Sequence, residues 1–405
     1  MGGKEFPRQK RLIALIDQVF YAGTNFGLTM LLVVLANIET LGRFALVASV
    51  SALLHSVFVG VVLEPLTVFG SHENEHRVRA VYSHFGSLVS FVCLFFAGLL
   101  YLIGQDGYIG VFALGLAMFG AQSAVLCGKR IALIENGVLG SLVISVRYAL
   151  GAVAVSAAAF FCCGYDERSL VAAVILASIL ACGYWWARAL WERASIQDFL
   201  NVASKVRSYT TWTLASSVPS SVSAHGVYWI AEVASTQAVV GLLKLCEQLV
   251  MPLGQLLMTM SILDQIESAA EFRAEKRTAV QDRITVRTWA YMKLTALYFA
   301  CLAAGLLAYS VIIGRVSAGF MVALCVYGLI ALLNAFSIPR NVAAKACRRP
   351  DFVATAYLLT SVTICVVGFS WKPDGLVHLT LILLLGWVVH AASLQRSVSS
   401  LFVSR

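Results

Sequence analysis

Residues 12–36 read LIALIDQVFYAGTNFGLTMLLVVLA, 25 residues in which Asp17 is the one charged side chain. A helix of about 20 apolar residues crosses the hydrocarbon core of a bilayer, so this stretch is long enough to span it. Lys4, Arg8, Lys10 and Arg11 precede it, whereas Arg43 is the only basic residue before the next apolar run. Eleven further runs of comparable character follow, at 43–69, 81–103, 108–126, 137–163, 169–188, 208–231, 236–262, 288–313, 318–338, 352–370 and 376–395.

With the N-terminus on the cytoplasmic side, the connections between these twelve spans segregate by charge. Outward turns hold Arg43, Arg168, Arg315 and Lys372, the spans hold Arg147 and Lys244, and inward segments hold the other 24 of the 30 Lys and Arg, Lys129, Arg130 and Arg188 among them. Cytoplasmic loops of membrane proteins carry this excess. Adding or removing one span inverts the later loops and destroys the pattern. The expectation is an all-α integral membrane protein with about twelve transmembrane helices and both termini cytoplasmic.

Composition agrees. The chain is 60% hydrophobic and 13% charged, with a mean hydropathy of +0.82, against about 25% charged residues in soluble domains. Its net charge of +9 belongs beside an anionic inner leaflet, so no nucleic-acid partner is expected. The first span is of full membrane length and is expected to be retained rather than cleaved. The ten cysteines lie within spans or at their ends, which supports neither a disulfide framework nor a metal site. Short connections leave no room for a soluble catalytic domain, and a phosphate-binding G-x-x-x-x-G-K-[ST] loop is absent. No cofactor and no enzymatic activity are expected.

The longest connection near the middle divides the chain into a lobe at 1–190, a cytoplasmic connection at 191–207 and a second lobe at 208–405. Six spans per lobe give both lobes the same orientation, a parallel-repeat plan that suits alternating access to a midplane site. Thr40-Leu41-Gly42-Arg43-Phe44-Ala45-Leu46 and Thr236-Gln237-Ala238-Val239-Val240-Gly241-Leu242 occupy equivalent places after the first span of each half. A channel would want a filter or a ring of like charges, and neither is found.

Charged groups at membrane depth are costly and default to a protein interior or a wet cavity. Arg147, near the middle of its span, either binds an anionic group bidentately or pairs with Asp17 or Glu64. Lys244 has Glu247 and Gln248 on its own helical face, giving either a local ion pair or a cavity group. Asp17 and Asn25 form a polar stripe on the first span. Glu64-Pro65 marks a bend or gate, since proline removes a backbone donor. The seventh span carries Thr210, Thr211, Thr213, Ser216, Ser217, Ser220, Ser221 and Ser223 around Pro219. Small hydroxyl residues permit close helix packing, and one face of this span is expected to line a cleft, with Glu232 at its outer end. The histidines are scattered, and Tyr184-Trp185-Trp186 reads as an interfacial anchor.

The order Asp17-Gln18, Asn25-Phe26, Leu41-Gly42-Arg43-Phe44-Ala45, Glu64-Pro65, followed by the polar seventh span and Ala238-Val239-Val240-Gly241, resembles bacterial polysaccharide flippases of the multidrug/oligosaccharidyl-lipid/polysaccharide exporter superfamily. The resemblance implies two six-helix lobes in the bacterial cytoplasmic (inner) membrane. It implies a carrier moving polyprenyl-pyrophosphate-linked oligosaccharide to the outer leaflet for O-antigen, lipopolysaccharide or exopolysaccharide biosynthesis. In that reading Arg147 and Lys244 meet the pyrophosphate, while Asn25, Thr213, Ser217 and Ser220 meet the sugars. Asp17, Glu64, Glu232 and Glu247 are candidates for ion coupling or gating. Membrane lipids, a polysaccharide polymerase and glycosyltransferases are the implied partners. A cation-coupled multidrug antiporter of the same fold and a non-transporting scaffold of an assembly complex are the alternatives.

Overall fold

The computed structural model describes residues 6–69, 76–191, 194–273, 277–312, 317–347, 349–371 and 373–403. Lys4, Arg193, Lys276, Arg315, Arg348, Lys372 and Arg405, all used in the charge count, lie outside them. The described chain is helical throughout: α1 (Phe6–Leu35), α2 (Ile38–Phe58), α3 (Glu64–Phe69), α4 (His76–Ile103), α5 (Gly107–Cys163), α6 (Glu167–Trp191), α7 (Ile196–Ala234), α8 (Gln237–Arg273), α9 (Arg277–Ile312), α10 (Ala318–Ala346), α11 (Pro350–Trp371) and α12 (Leu376–Val403). Ten of these helices are long and apolar enough to cross a membrane. The two remaining expected spans are accounted for separately: α5 holds a pair of spans, and α7 has membrane length but a polar sequence.

Two compact units divide the chain, Met1–Val218 and Pro219–Arg405. The division falls inside α7, at Pro219. Part of the stretch 191–207, read from the sequence as a connection, is helix from Ile196 onward. Val202 and Val206 of that helix pack in a core with Phe58, Val62, Leu66, Val81, Tyr82 and Phe119. The N-terminal half of α7 thereby belongs to the first unit. In the second unit, Leu253 and Leu257 of α8 meet Tyr291 of α9 and Ala331 and Ala335 of α10. Ala344, Val353, Ala356, Leu394 and Val398 join α10, α11 and α12.

Helices in lipid gain nothing from hiding apolar surface, so close backbone approach through small residues does the packing. Gly115 of α5 illustrates this: a Cβ there would stand 2.7 Å from Val50 Cβ and 3.0 Å from the Val47 carbonyl oxygen of α2. Large apolar residues cover the outside instead, Leu102 at 79% and Phe161 at 83% exposure.

Two local features correct the sequence reading. The stretches 40–46 and 236–242, read as outward turns, form the opening turns of α2 and α8. The actual junctions are two residues each, Ala36-Asn37 and Ser235-Thr236. Asn37 caps α2 by accepting a hydrogen bond from the Thr40 amide at 2.8 Å, which supplies one of the four donors every helix start leaves open. The expected inward connection between spans four and five is reduced to a tight break at Gly137, where two helical stretches within residues 107–163, here together α5, meet. At Gly137 φ is 71° and ψ −166°. Lys129 and Arg130 therefore ride on a helix rather than on a cytoplasmic loop. A third irregularity, the π-helical turn Val59–Leu63 ahead of Glu64-Pro65, lies where the proline ring and its missing N–H disfavour regular α geometry.

The Gly137 conformation is one that only glycine adopts without strain. Gly137→Ala is expected to cost about 1–3 kcal/mol and to lower the melting temperature in detergent. Gly98→Ala in α4, where no atom lies within 4 Å of the added methyl, is the control. Equal melting of the two variants would contradict this account of the α5 break.

Candidate functional site

In each unit, among the described residues, an intramembrane acid noted in the sequence pairs with a buried lysine. In the first unit the Asp17 carboxylate of α1 receives three donors from α5. Lys129 Nζ lies 3.1 Å from Oδ1, Ser145 Oγ donates to the same oxygen at 2.5 Å, and Ser141 Oγ donates to Oδ2 at 2.9 Å. Lys129 and Asp17 side chains are only 9% and 13% exposed. One helical turn is 3.6 residues, so Ser141, Ser145 and Tyr148 share one face of α5. Tyr148 extends the contact by donating to Asn25 Oδ1 at 2.9 Å, and Asn25 Nδ2 donates to the Tyr21 carbonyl at 3.1 Å. The Lys129 ammonium also sits 4.5 Å from the centroid of the Tyr21 ring, a favourable cation–π distance.

In the second unit Lys244 Nζ donates to Glu247 Oε2 at 2.8 Å across one turn of α8. The Tyr228 hydroxyl of α7 donates to the same oxygen, and His225 stacks on Tyr228 with ring centroids 6.2 Å apart. Lys244 is 6% exposed but Glu247 is 29% exposed. Solvent or a ligand can therefore reach the acid more readily than the base.

The other sequence candidates are distributed around these clusters. Arg147 is exposed on α5 and makes no hydrogen bond or ion pair among the described residues. Leu139, Val143, Leu150 and Val153 lie near it on the helix and are also exposed. Its anticipated partners are engaged elsewhere: Asp17 by Lys129, and Glu64 by the Tyr209 hydroxyl, which donates at 3.1 Å. Thr213 is buried and donates to the Tyr209 carbonyl at 3.0 Å. Ser217 is half-buried, and Ser220 is hydrogen-bonded to the Tyr357 side chain. Glu232 has one carboxylate oxygen buried with no hydrogen-bond partner among the described residues. Much of the hydroxyl content of α7 is spent within its own helix: Thr211, Ser216 and Ser223 donate to backbone carbonyls three or four residues back. Ser361 of α11 additionally donates to the Pro219 carbonyl at 2.7 Å.

Lys129, Ser141, Ser145, Tyr148 and Tyr228 were not among the sequence candidates. Lys129 next to Arg130 has the local look of a cytoplasmic turn. The 141, 145, 148 spacing, by contrast, is a readable polar stripe. Among the described residues no three His, Cys, Asp or Glu side chains come together as metal ligands.

No protein-family profile matches the sequence, and no curated relative matches it. Solved structures match over nearly its full length. An outward-facing multidrug resistance MATE family transporter of the MOP superfamily aligns with a TM-score of 0.59 at 13% identity, covering 97% of this chain and 95% of that one. The lipid II flippase MurJ in an inward closed conformation aligns at 0.56 and 12%, covering 96% and 86%. A MOP superfamily transporter from Pyrococcus furiosus, described by a reverse polarity of its binding pocket, aligns at 0.52 and 13%, covering 97% and 93%. At these identities the likeness is one of fold. The chain is a multi-pass, all-helical membrane protein with the fold of these transporters.

Removing one partner of a buried pair strands the other charge and costs about 3–5 kcal/mol. Asp17→Asn is therefore expected to lower thermal stability sharply in detergent, and the double variant Asp17→Asn with Lys129→Met to recover most of the loss. Additive losses in the double variant would show that the two groups do not act as a pair.

Proposed function

We propose that the protein is a carrier that flips polyprenyl-pyrophosphate-linked oligosaccharide from the inner to the outer leaflet of the bacterial cytoplasmic membrane by alternating access, in surface polysaccharide biosynthesis. One observation carries the choice of an anionic cargo. Asp17 and Glu247 are each neutralised by a lysine of their own unit, whereas Arg147 is exposed and unpaired among the described residues. An unneutralised guanidinium at membrane depth is expensive, and a pyrophosphate that accepts two parallel N–H bonds offsets that cost. Shedding the hydration of such a head group is the barrier to flipping, and fixed polar groups replace that hydration.

In this reading Arg147 is the primary phosphate ligand. Lys244 becomes a second one only when its partner Glu247 takes up a proton, which makes Glu247 the best placed of the four acids for energy coupling. Asp17 is held by three donors and serves to fix α1 on α5. Asn25, Thr213 and Ser220 have hydrogen-bond partners in the structure, so Ser217 is the hydroxyl most available to sugar. Polymerase and glycosyltransferase partners follow from the pathway class.

The competing reading, a cation-coupled multidrug antiporter, draws support from the MATE fold. It requires an accessible carboxylate without a basic partner at the cargo site.

Sidedness of lipid-linked oligosaccharide in inverted and right-side-out vesicles tests the proposal. Cells lacking the gene should accumulate the lipid facing the cytoplasm, and the intact gene should restore its outward display. Arg147→Ala should reduce the flipping rate about tenfold or more, the scale of a lost charged hydrogen bond, while Arg147→Lys should retain part of it. Normal sidedness without the gene, with gene-dependent efflux of cationic dyes, would transfer the assignment to the antiporter.

A further inference from the structure

A charged cavity lies where α4 begins, α6 ends and α5 approaches its break at Gly137. It encloses about 190 Å³ and is lined by Arg79, Ser83, Ile131, Glu135, Trp185 and Arg188, with Ala80 and Ala189 closing it. Two guanidinium groups and one carboxylate are among the residues that line it. Arg188 NH1 lies 3.0 Å from Glu135 Oε2, and its guanidinium rests 5.6 Å from the centroid of the Trp185 ring. Arg77, two residues before Arg79 on α4, is taken by Asp198 of α7.

Ser83 makes the cavity more than a gap. Serines in these helices ordinarily spend their hydroxyl on the carbonyl a turn back, as Ser90 and Ser178 do at 3.0 and 2.6 Å. Ser83 is 3% exposed, and its Oγ has no hydrogen-bond partner among the described residues. A buried hydroxyl left without a partner destabilises the fold. The neighbouring residues are rigidly placed, because Trp186 Nε1 donates to the Ser87 carbonyl at 2.9 Å and the His84 ring contacts the Ala189 carbonyl at 3.0 Å. These two bonds brace α6 on α4 and hold the cavity open between them.

We infer that this cavity binds a phosphate group, held by Arg79 and Arg188 and accepting a hydrogen bond from the Ser83 hydroxyl. A phosphate oxygen pair matches the planar fork of arginine and accepts the donor that the protein leaves unmet. The surroundings favour a lipid phosphodiester as its source. Tyr184 and Trp191 on the same end of α6 are 70% and 88% exposed, as aromatic residues at the head-group level are. Basic pockets between helices at the cytoplasmic surface suit anionic head groups. The site is separate from Arg147 and does not depend on the identity of the transported molecule.

Native mass spectrometry of the full chain, extracted from vesicles of phosphatidylcholine and phosphatidylglycerol in equal parts, tests this. Phosphatidylglycerol should be retained in preference to phosphatidylcholine. Ser83→Ala should weaken its retention about fivefold, and Arg79→Gln with Arg188→Gln about tenfold or more. Glu135→Gln removes a competing acceptor and should strengthen retention, an effect opposite in sign to any loss of packing. That variant keeps the test decisive even where the double arginine variant fails to fold. Inorganic phosphate should displace the lipid. Displaceable phosphate binding without any preference between the two lipids would keep the phosphate site and assign it to a free anion. Equal retention of both lipids with no effect of phosphate, or retention unchanged in all variants, would overturn the site.

Discussion

The carboxylate of Asp17 is the point on which the first unit turns. A negative charge on a helix inside the hydrocarbon must be neutralised within the protein or forgone, and here α5 supplies an ammonium and two hydroxyls from two successive stretches of one helix. Lys129 lies before the break at Gly137, and Ser141 and Ser145 lie after it. The break turns both parts of α5 toward the same acid, so the ion pair constrains the angle of α5 as well as its contact with α1. Uniform helix through Gly137 would carry the serines around the axis away from Lys129.

The second unit solves the same problem on a smaller scale. Lys244 and Glu247 neutralise each other across one turn of α8, and Tyr228 of α7 completes the coordination. That pair depends on no distant helix for its charge balance. With one carboxylate partly exposed, it is also the easier of the two to perturb. The units thus differ in how the acid is neutralised although both begin with two helices joined by a two-residue junction. One pair joins α1 to α5, and the other closes within α8.

This difference explains what could be read from the chain beforehand. Membrane spans and loop charge are properties of consecutive residues, so the fold was legible in residues 12–36 and their flanks. The Lys244–Glu247 pair was legible for the same reason, since its members share a helical face. The partner of Asp17 was not, because a basic Lys129-Arg130 dipeptide between two apolar runs satisfies the rule for a cytoplasmic turn just as well as it satisfies a buried site. The break at Gly137 decides between them: it brings Lys129 from the stretch before it and Ser141 and Ser145 from the stretch after it to one carboxylate, a meeting that rests on tertiary packing. The hydroxyls of α7 divide: Thr211, Thr213, Ser216 and Ser223 donate to backbone carbonyls, whereas the Thr210 and Ser221 hydroxyls have no partner among the described residues.

The sign of the uncompensated charge bears most directly on function. A fold shared by multidrug transporters and a lipid flippase does not by itself select between cationic and anionic cargo; the selection comes from side chains placed on it. Desolvating a cation requires an acid whose charge is not already cancelled, because a neutral ion pair presents only a dipole, whose attraction falls faster with distance than that of a net charge. Both principal acids here are cancelled by lysine. Among the described residues Arg147 makes no ion pair, and the exposed aliphatic residues beside it give it no counter-charge. In such surroundings the field of a guanidinium is weakly screened, so it attracts a phosphate and repels an organic cation with comparable strength.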